Sequence, residues 1–190
     1  WISNNYDNLI FDINNPDSGN EIKNINNLFL DANGLIHPCV RKVLEENEKL
    51  INEHNNDYNH NKNNIISNIS VYSKLEKKMF QSIFDYILHL YEYIKPSDLL
   101  FIAIDGVAPR AKIEQQRKRR YRSSKEKKMK SEIYNGNNIN KLDWDTNCIT
   151  PGTTFMLKLS NFLKKNISKL KFSHKIIFSD ANIPSEGEHK

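Results

Sequence analysis

The sequence has 190 residues, with 28 Lys or Arg and 23 Asp or Glu, so its formal net charge is +5. This length suits one domain with a buried core. Two cysteines, Cys39 and Cys148, are too few for a disulfide framework and lack metal-ligand spacing, which favours a reducing compartment. No apolar run approaches the roughly 20 residues of a membrane-spanning helix, so we expect no membrane association.

The positive charge is concentrated in one segment. Residues 110–130 contain 11 Lys or Arg and 2 Glu, whereas the rest of the chain has 17 basic and 21 acidic residues. A block of this kind is typical of a surface that binds a polyanion.

Three short apolar runs predict buried parallel strands: Leu28–Leu30, Leu99–Ile104 and Lys175–Phe178. Apolar residues at helical spacing from Phe80 to Ile94, ending before Pro96, predict a helix between the first two strands. A second such pattern, from Phe155 to Leu163 with Thr153 as a candidate N-cap, lies before the third strand. This alternation predicts an α/β fold with a mostly parallel sheet flanked by helices.

Two segments interrupt that alternation. Residues 45–64 are polar, rich in Asn and without periodicity, which predicts a mobile insertion outside the core. Residues 110 to about 132 are rich in helix formers and lack Gly and Pro, which predicts a long, basic, mostly solvated helix that protrudes. We expect residues 1–190 to be the N-terminal part of a larger domain that continues after Lys190.

Acidic residues follow the predicted strands. Asp31 in "FLDANG", Asp105 in "AIDG", and Glu186 with Glu188 in "SEGEH" are candidate catalytic residues and metal ligands. Sites in open parallel sheets form at the carboxyl ends of the strands, and Mg²⁺ prefers carboxylate oxygens. Gly after each strand-end Asp suggests a sharp turn with close backbone approach. The alternative is that each Asp caps a helix or lies in a loop, which is the role we assign to Asp180.

One stripe of the basic helix combines cations with an amide. At about 100° per residue, Lys112, Gln116, Arg119 and Arg120 share a face about 100° wide. Such a face can bind a terminal phosphate, because Arg offers planar, bidentate donors. The alternative is a solvated helix face. Arg117, Lys118 and Arg122 point elsewhere and contact either a nucleic-acid backbone or only water.

Two histidines lie near the acidic motifs. His37 follows Asp31 by six residues and is a candidate for stacking on a base, although an ordinary buried or surface role is the alternative. His189 directly follows Glu188 and either supports the acidic cluster or is unrelated to it.

Four stretches together resemble the N-terminal conserved region of the Xrn/Rat 5′→3′ exoribonucleases: "NLFLDANGLIHPC", "FIAIDGVAPRAKIEQQRKRRYRSSKE", "NCITPGTTFM" and "SDANIPSEGEHK". The resemblance covers nearly the whole chain, apart from the Asn-rich insertion and the stretch before Leu28. It implies a PIN/FEN-like nuclease core.

The resemblance also implies an activity. It implies processive hydrolysis of single-stranded RNA that carries a 5′-monophosphate, with release of mononucleotides and with Mg²⁺, or Mn²⁺, as cofactor. It implies that Asp31, Asp105, Glu186 and Glu188 bind the metal. It further implies that His37 stacks on a base and that the stripe of Lys112, Gln116, Arg119 and Arg120 binds the 5′-phosphate.

The resemblance leaves part of the site outside this chain. Further metal-binding aspartates of the family lie beyond the position that matches Lys190, so we expect an isolated 190-residue fragment to bind metal weakly and to be inactive. "IHPC" and "SDA" resemble the nuclear branch more than the cytoplasmic one, which predicts a nuclear location, with the cytoplasm as the alternative. Two alternatives stay open: a flap-type structure-specific DNA nuclease and a non-catalytic RNA-binding module. Protein partners are not predicted.

Overall fold

A three-stranded parallel sheet organises the chain in the computed structural model, which describes residues 25–48, 65–134, 144–172 and 174–190. The strands are β1 (Asn27–Asp31), β2 (Leu99–Ala103) and β3 (Lys175–Ser179), in the order β1-β2-β3. The predicted α/β class and parallel sheet are confirmed.

The register aligns the carboxyl ends of the three strands. Asp31 lies opposite Ala103, and Ala103 lies opposite Ser179. The residues that follow the strands therefore meet at one edge of the sheet, where sites form in open parallel sheets.

Four helices accompany the sheet: α1 (Asn33–Glu46), α2 (Ile65–Ile94), α3 (Arg110–Tyr134) and α4 (Thr154–Ile167). As predicted, α2 ends before Pro96, and Thr153 caps α4 by accepting a hydrogen bond from the Met156 N–H at 3.3 Å. Two short 3₁₀ turns, Thr146–Cys148 and Gly187–His189, complete the described elements.

Helix α1 was not predicted, because its sequence contains Gly34 and Pro38. Pro38 has no N–H to donate to the carbonyl one turn earlier, which costs about 3 kcal/mol in a helix interior. Packing outweighs this cost, because burial contributes roughly 1.5–3 kcal/mol for each large apolar side chain. The buried residues of the helix, which packs against α2, are Leu35, Ile36, Cys39, Val40 and Val43.

The core lies on one face of the sheet. Leu100 and Ile102 of β2 are buried there with apolar side chains of α1, α2 and α4. On the opposite face, Phe29 is 65% exposed, and its ring centroid lies 5.8 Å from that of Phe101.

The beginning of the predicted insertion belongs to the fold. Helix α1 continues to Glu46, and Asn47 is buried, with its side-chain amide donating to the Val43 carbonyl at 2.7 Å. Residues 49–64 lie outside the described residues, so the rest of the insertion stays a prediction. No helix among the described residues is long and apolar enough to cross a membrane.

Candidate active site

The four predicted carboxylates lie at the carboxyl edge of the sheet. Asp31 is the last residue of β1, and Asp105 follows β2 by two residues. Glu186 and Glu188 lie in the segment after β3, where Glu186 is extended and Glu188 is within a 3₁₀ turn. The fold thus brings residues far apart in sequence to one place.

Two loops are joined by backbone hydrogen bonds beside this cluster. The Gly106 N–H donates to the Ser185 carbonyl at 2.8 Å, and the Ser185 N–H donates to the Val107 carbonyl at 3.1 Å. A Cβ on Gly106 would lie 1.8 Å from the Ile183 carbonyl oxygen, so only glycine fits at this position. This is the close backbone approach expected after Asp105.

The same expectation was wrong for the glycine after Asp31. Gly34 lies inside α1, and a Cβ there would meet no atom within 4 Å. The chain turns after Asp31 by starting a helix and does not need glycine for that turn.

Gly187 lies between the two aspartates. Its N–H donates to Asp105 Oδ1 at 2.6 Å. A Cβ on Gly187 would lie 2.5 Å from Asp31 Oδ1 and 3.4 Å from Asp105 Oδ1. This contact holds the backbone that carries Glu186 and Glu188 against both aspartates, and the spacing of the motif alone did not reveal it.

Asn33 links Asp31 to Asp105, a role that was not predicted. Its backbone N–H donates to Asp31 Oδ1 at 3.2 Å, while its side-chain oxygen accepts from the Asp105 N–H at 3.3 Å. One residue therefore orients the ends of two strands.

Partial burial and the neighbouring carboxylates together raise the pKa of Asp31. Partial burial of the carboxyl group is the main cause, and the charges of Asp105, Glu188 and Glu186 add to it, whereas the hydrogen bond from the Asn33 N–H opposes it. Four carboxylates that repel one another fit a divalent cation, which supplies the missing positive charge and prefers oxygen ligands.

His189 lies next to the two glutamates. Its Nδ1 is 3.6 Å from Glu186 Oε2 and 3.7 Å from Glu188 Oε1. One ligand atom from each of the three residues lies within 4.8 Å of the others, so this group can also contribute to a metal site. That His189 supports the acidic cluster stays a prediction.

Asp180 forms a separate, structural network. Its carboxylate is 2% exposed, pairs with Lys164 and accepts a hydrogen bond from the Asn182 N–H at 3.0 Å. Burial raises the pKa of Asp180, but the hydrogen bonds from Lys164 and Asn182 outweigh burial and leave it lowered. This geometry fits the loop role assigned to Asp180.

Lys190 connects that network to the candidate site. Its Nζ donates to the carbonyls of Ile104 at 2.6 Å and Asp180 at 2.7 Å. Burial lowers the pKa of Lys190, although Asp180 and Asp105 act in the opposite direction. The side chain joins the residues that follow β2 and β3, a role that was not predicted.

The predicted stripe of α3 meets the acidic cluster at Lys112. Lys112, Gln116 and Arg120 are half-buried, whereas Arg119 is exposed, as is most of the helix. Lys112 Nζ lies 3.3 Å from Glu186 Oε1, and Arg120 donates to Gln116 Oε1 at 3.5 Å. The start of the cationic stripe therefore lies beside the carboxylates, at the Lys112–Glu186 contact.

His37 lies on α1 near this surface. Its pKa is lowered, first by partial burial and then by the positive charges of Arg119 and Arg41. The influence of Arg119 means that the His37 ring lies close to the basic stripe, where it could stack on a base. The catalytic and binding roles of all these residues stay predictions.

Comparison with known proteins identifies the same region. The family model described as "XRN 5'-3' exonuclease N-terminus" matches residues 1–190. The chain is 39% identical over 178 residues to 5'-3' exoribonuclease 1 of Schizosaccharomyces pombe, covering 89% of this chain. It is 40% identical over 185 residues to a 5'-3' exoribonuclease 2 homolog of Caenorhabditis elegans, covering 86% of this chain.

The match covers only a small part of each relative. It spans 12% of the Schizosaccharomyces pombe protein and 16% of the Caenorhabditis elegans protein. A match of 39% identity to 5'-3' exoribonuclease 1 of Homo sapiens spans 90% of this chain and 9% of that protein. The chain belongs to the XRN 5′→3′ exonuclease N-terminal family.

Proposed function

We propose that this chain provides the metal-binding and 5′-end-binding part of a 5′→3′ exoribonuclease that hydrolyses single-stranded RNA with a 5′-monophosphate. The main support is the 3.3 Å contact between Lys112 Nζ and Glu186 Oε1, which places the cationic stripe beside the carboxylates. The names of the relatives support the same activity.

Asp31, Asp105, Glu186 and Glu188 would hold Mg²⁺ or Mn²⁺. A divalent cation at such a site stabilises the charge that develops on the phosphoryl oxygens during hydrolysis. Asn33 and Gly187 fix the carboxylates relative to one another, so that the donor atoms are oriented before substrate arrives.

The stripe of α3 would bind the terminal phosphate. Lys112 faces both this pocket and Glu186, and the Gln116–Arg120 contact orients the Arg guanidinium. A guanidinium can bind two oxygens of a monophosphate at once. A pocket small enough to hold only a monophosphate would exclude the bulkier triphosphate or cap.

Fixing the 5′ end would also select the bond to be cleaved. With the terminal phosphate bound by α3 and the first base stacked on His37, the next phosphodiester would lie against the carboxylates. Positioning of this kind supplies much of an enzyme's rate enhancement. Each cleavage would leave a new 5′-monophosphate, and the reaction would be processive if the RNA stays bound while this new end moves to α3.

The test uses the full-length protein and one RNA sequence with three different 5′ ends. With Mg²⁺, we expect the 5′-monophosphate RNA to be degraded at least tenfold faster than the 5′-hydroxyl and 5′-triphosphate forms. A chelator should abolish degradation. Equal rates on the three ends would disprove the phosphate pocket, and faster cleavage of single-stranded or flap DNA would favour the DNA nuclease.

A substitution separates catalysis from binding. Asp105→Ala should abolish cleavage while the RNA dissociation constant stays within about twofold. Asp85→Asn, an exposed carboxylate on α2, is the control with unchanged cleavage. If Asp105→Ala retains activity, the site is misassigned. If the unsubstituted protein binds RNA but never cleaves it, the chain belongs to a binding module.

A further inference from the structure

Helix α3 has a second basic face, which the proposed 5′-phosphate pocket does not use. Tyr121 follows Lys112 by nine residues and therefore lies about 180° around the helix from it. Its side chain is 72% exposed. Three exposed cations lie within about 60° of it around the helix, namely Arg117, Lys118 and Lys125, and a fourth, Arg122, lies about 100° away at the edge of this face.

The charges on this outer face are not balanced within the described part of the chain. None of its four cations has an acidic partner among those residues, although Glu114 lies on the same side one turn earlier. Lys112 and Lys164, in contrast, pair with Glu186 and Asp180. The outer face therefore presents a concentrated positive potential to solvent.

The arrangement resembles surfaces that bind single strands. Such surfaces combine cations, which follow the phosphate backbone, with aromatic side chains on which bases stack. Tyr121 supplies an aromatic ring in the middle of the cations. An anionic membrane fits less well, because a helix that binds a membrane surface buries a broad apolar face, and the described outer face has only Tyr121 and Met129 as large apolar side chains.

The outer face is continuous with the stripe that faces the carboxylates. Arg122 lies about 60° around the helix from Arg119, and Lys118 lies about 40° further. The helix with its side chains is only about 10–12 Å wide. A strand whose 5′ end is bound on the inner side can therefore reach the outer side within a few nucleotides.

We infer that the outer face of α3, formed by Arg117, Lys118, Tyr121, Arg122 and Lys125, binds the downstream part of the single-stranded RNA whose 5′ end the inner face holds. The inference rests on the proposed function for the identity of the ligand. What the inference adds is that this face increases the affinity for RNA beyond the first nucleotides. This added affinity does not depend on the chemical group at the 5′ end.

Two RNA probes separate the faces, both measured by fluorescence anisotropy with full-length protein that carries Asp105→Ala to prevent cleavage. One probe is a 5′-phosphorylated trinucleotide, and the other is a 5′-phosphorylated 20-mer with the same 5′ sequence. Changing Arg117, Lys118 and Arg122 together to Ala should weaken binding of the 20-mer at least tenfold. The slope of the logarithm of the binding constant against the logarithm of the salt concentration should become less steep by about 2. Each phosphate contact on a single strand contributes roughly 0.7 to this slope, and three cations are removed. The trinucleotide affinity should not change.

The control variant removes the same charge elsewhere, by changing Lys165, Lys169 and Lys171, which are exposed in and after α4, to Ala. It should leave the 20-mer affinity within twofold. Tyr121→Ala should weaken the 20-mer about fivefold or more, because stacking on an aromatic residue is worth about 1–3 kcal/mol per base, and Tyr121→Phe should restore it.

If the outer-face triple variant and the Lys165, Lys169 and Lys171 control bind the 20-mer with equal affinity, the inference is overturned. The outer face would then be either a solvated surface or a binding surface for an acidic protein. Equal weakening of both probes would also overturn it. If the proposed function holds, Arg119→Ala should lower the affinity for the trinucleotide, which the outer-face variant leaves unchanged. If Arg119→Ala has no effect while the outer-face variant weakens the 20-mer, the phosphate pocket fails and this inference stands.

Discussion

The Gly187 N–H donates to the Asp105 carboxylate at 2.6 Å, although the two residues are separated by 82 positions in the sequence. The same glycine leaves no room for a side chain toward Asp31, because a Cβ would lie 2.5 Å from Asp31 Oδ1. The acidic cluster therefore depends on a backbone contact as well as on its carboxylates.

Gly187→Ala should reduce kcat on 5′-monophosphate RNA by about 100-fold, because a shift of about 1 Å at a reacting centre costs that much. The added methyl group must displace either the Asp31 carboxylate or the backbone that carries the glutamates. Gly34→Ala is the matched control, since its Cβ meets nothing within 4 Å and the site lies inside a helix. We expect that variant to keep its activity, and a Gly187→Ala enzyme as active as the control would contradict this account.

Lys190→Met should lower the free energy of unfolding by about 2 kcal/mol, because two carbonyls lose a charged hydrogen-bond donor. Its Nζ bridges Ile104 and Asp180, so the loop that carries Asp105 should also loosen. Chemical denaturation measures the first effect, and faster amide exchange at residues 104–107 measures the second. Lys169→Met, at an exposed position, should change neither, and an unchanged exchange rate in Lys190→Met would rule out the bridging role.

Asp180→Asn should destabilise the fold by about 1–3 kcal/mol at pH 7, because the buried carboxylate accepts hydrogen bonds from Lys164 and Asn182. The pKa of Asp180 is lowered in the folded state, so its ionised form contributes stability above the unfolded pKa of about 3.9. That contribution is lost as the pH falls through the folded pKa. Denaturation of the unsubstituted protein and of Asp180→Asn between pH 7 and pH 2 should show that the difference in their free energies of unfolding becomes smaller as the pH falls. A difference that stays constant with pH would contradict this account.

His37 should titrate below its ordinary pKa of 6.5, and Arg119→Gln should move the pKa upward. The Arg119 charge disfavours protonation of the imidazole, and its removal leaves burial and Arg41 as the remaining causes. Since the folded pKa is lowered, the neutral form contributes stability that is lost as the pH falls through that value. Histidine C2 hydrogen exchange followed by mass spectrometry gives the midpoint, and Arg117→Gln, on the outer face, should leave it unchanged.

Most of the fold was predictable because its signals are local. The three strands begin or end within one residue of their predicted bounds, and Pro96 and Thr153 mark helix boundaries through known backbone and capping preferences. Helix α1 was missed because Gly34 and Pro38 argue locally against a helix, while its stability comes from burial against α2.

The candidate site was only partly predictable, for a related reason. The carboxylates and the α3 stripe have recognisable residue types, spacing and charge. Asn33, Gly187 and Lys190 act through backbone groups of distant segments, and no local pattern specifies such contacts. These contacts form only when the chain packs segments that are far apart in sequence against one another.

The distance in sequence between Asp31 and Gly187 also has a consequence for synthesis. The ribosome makes Asp31 156 residues before Gly187. At roughly 5–20 residues per second, about 8–30 s separate the two. Throughout that interval the nascent chain has the first carboxylate without the backbone that completes the cluster. The growing polypeptide therefore cannot assemble this acidic cluster before Gly187 has been translated.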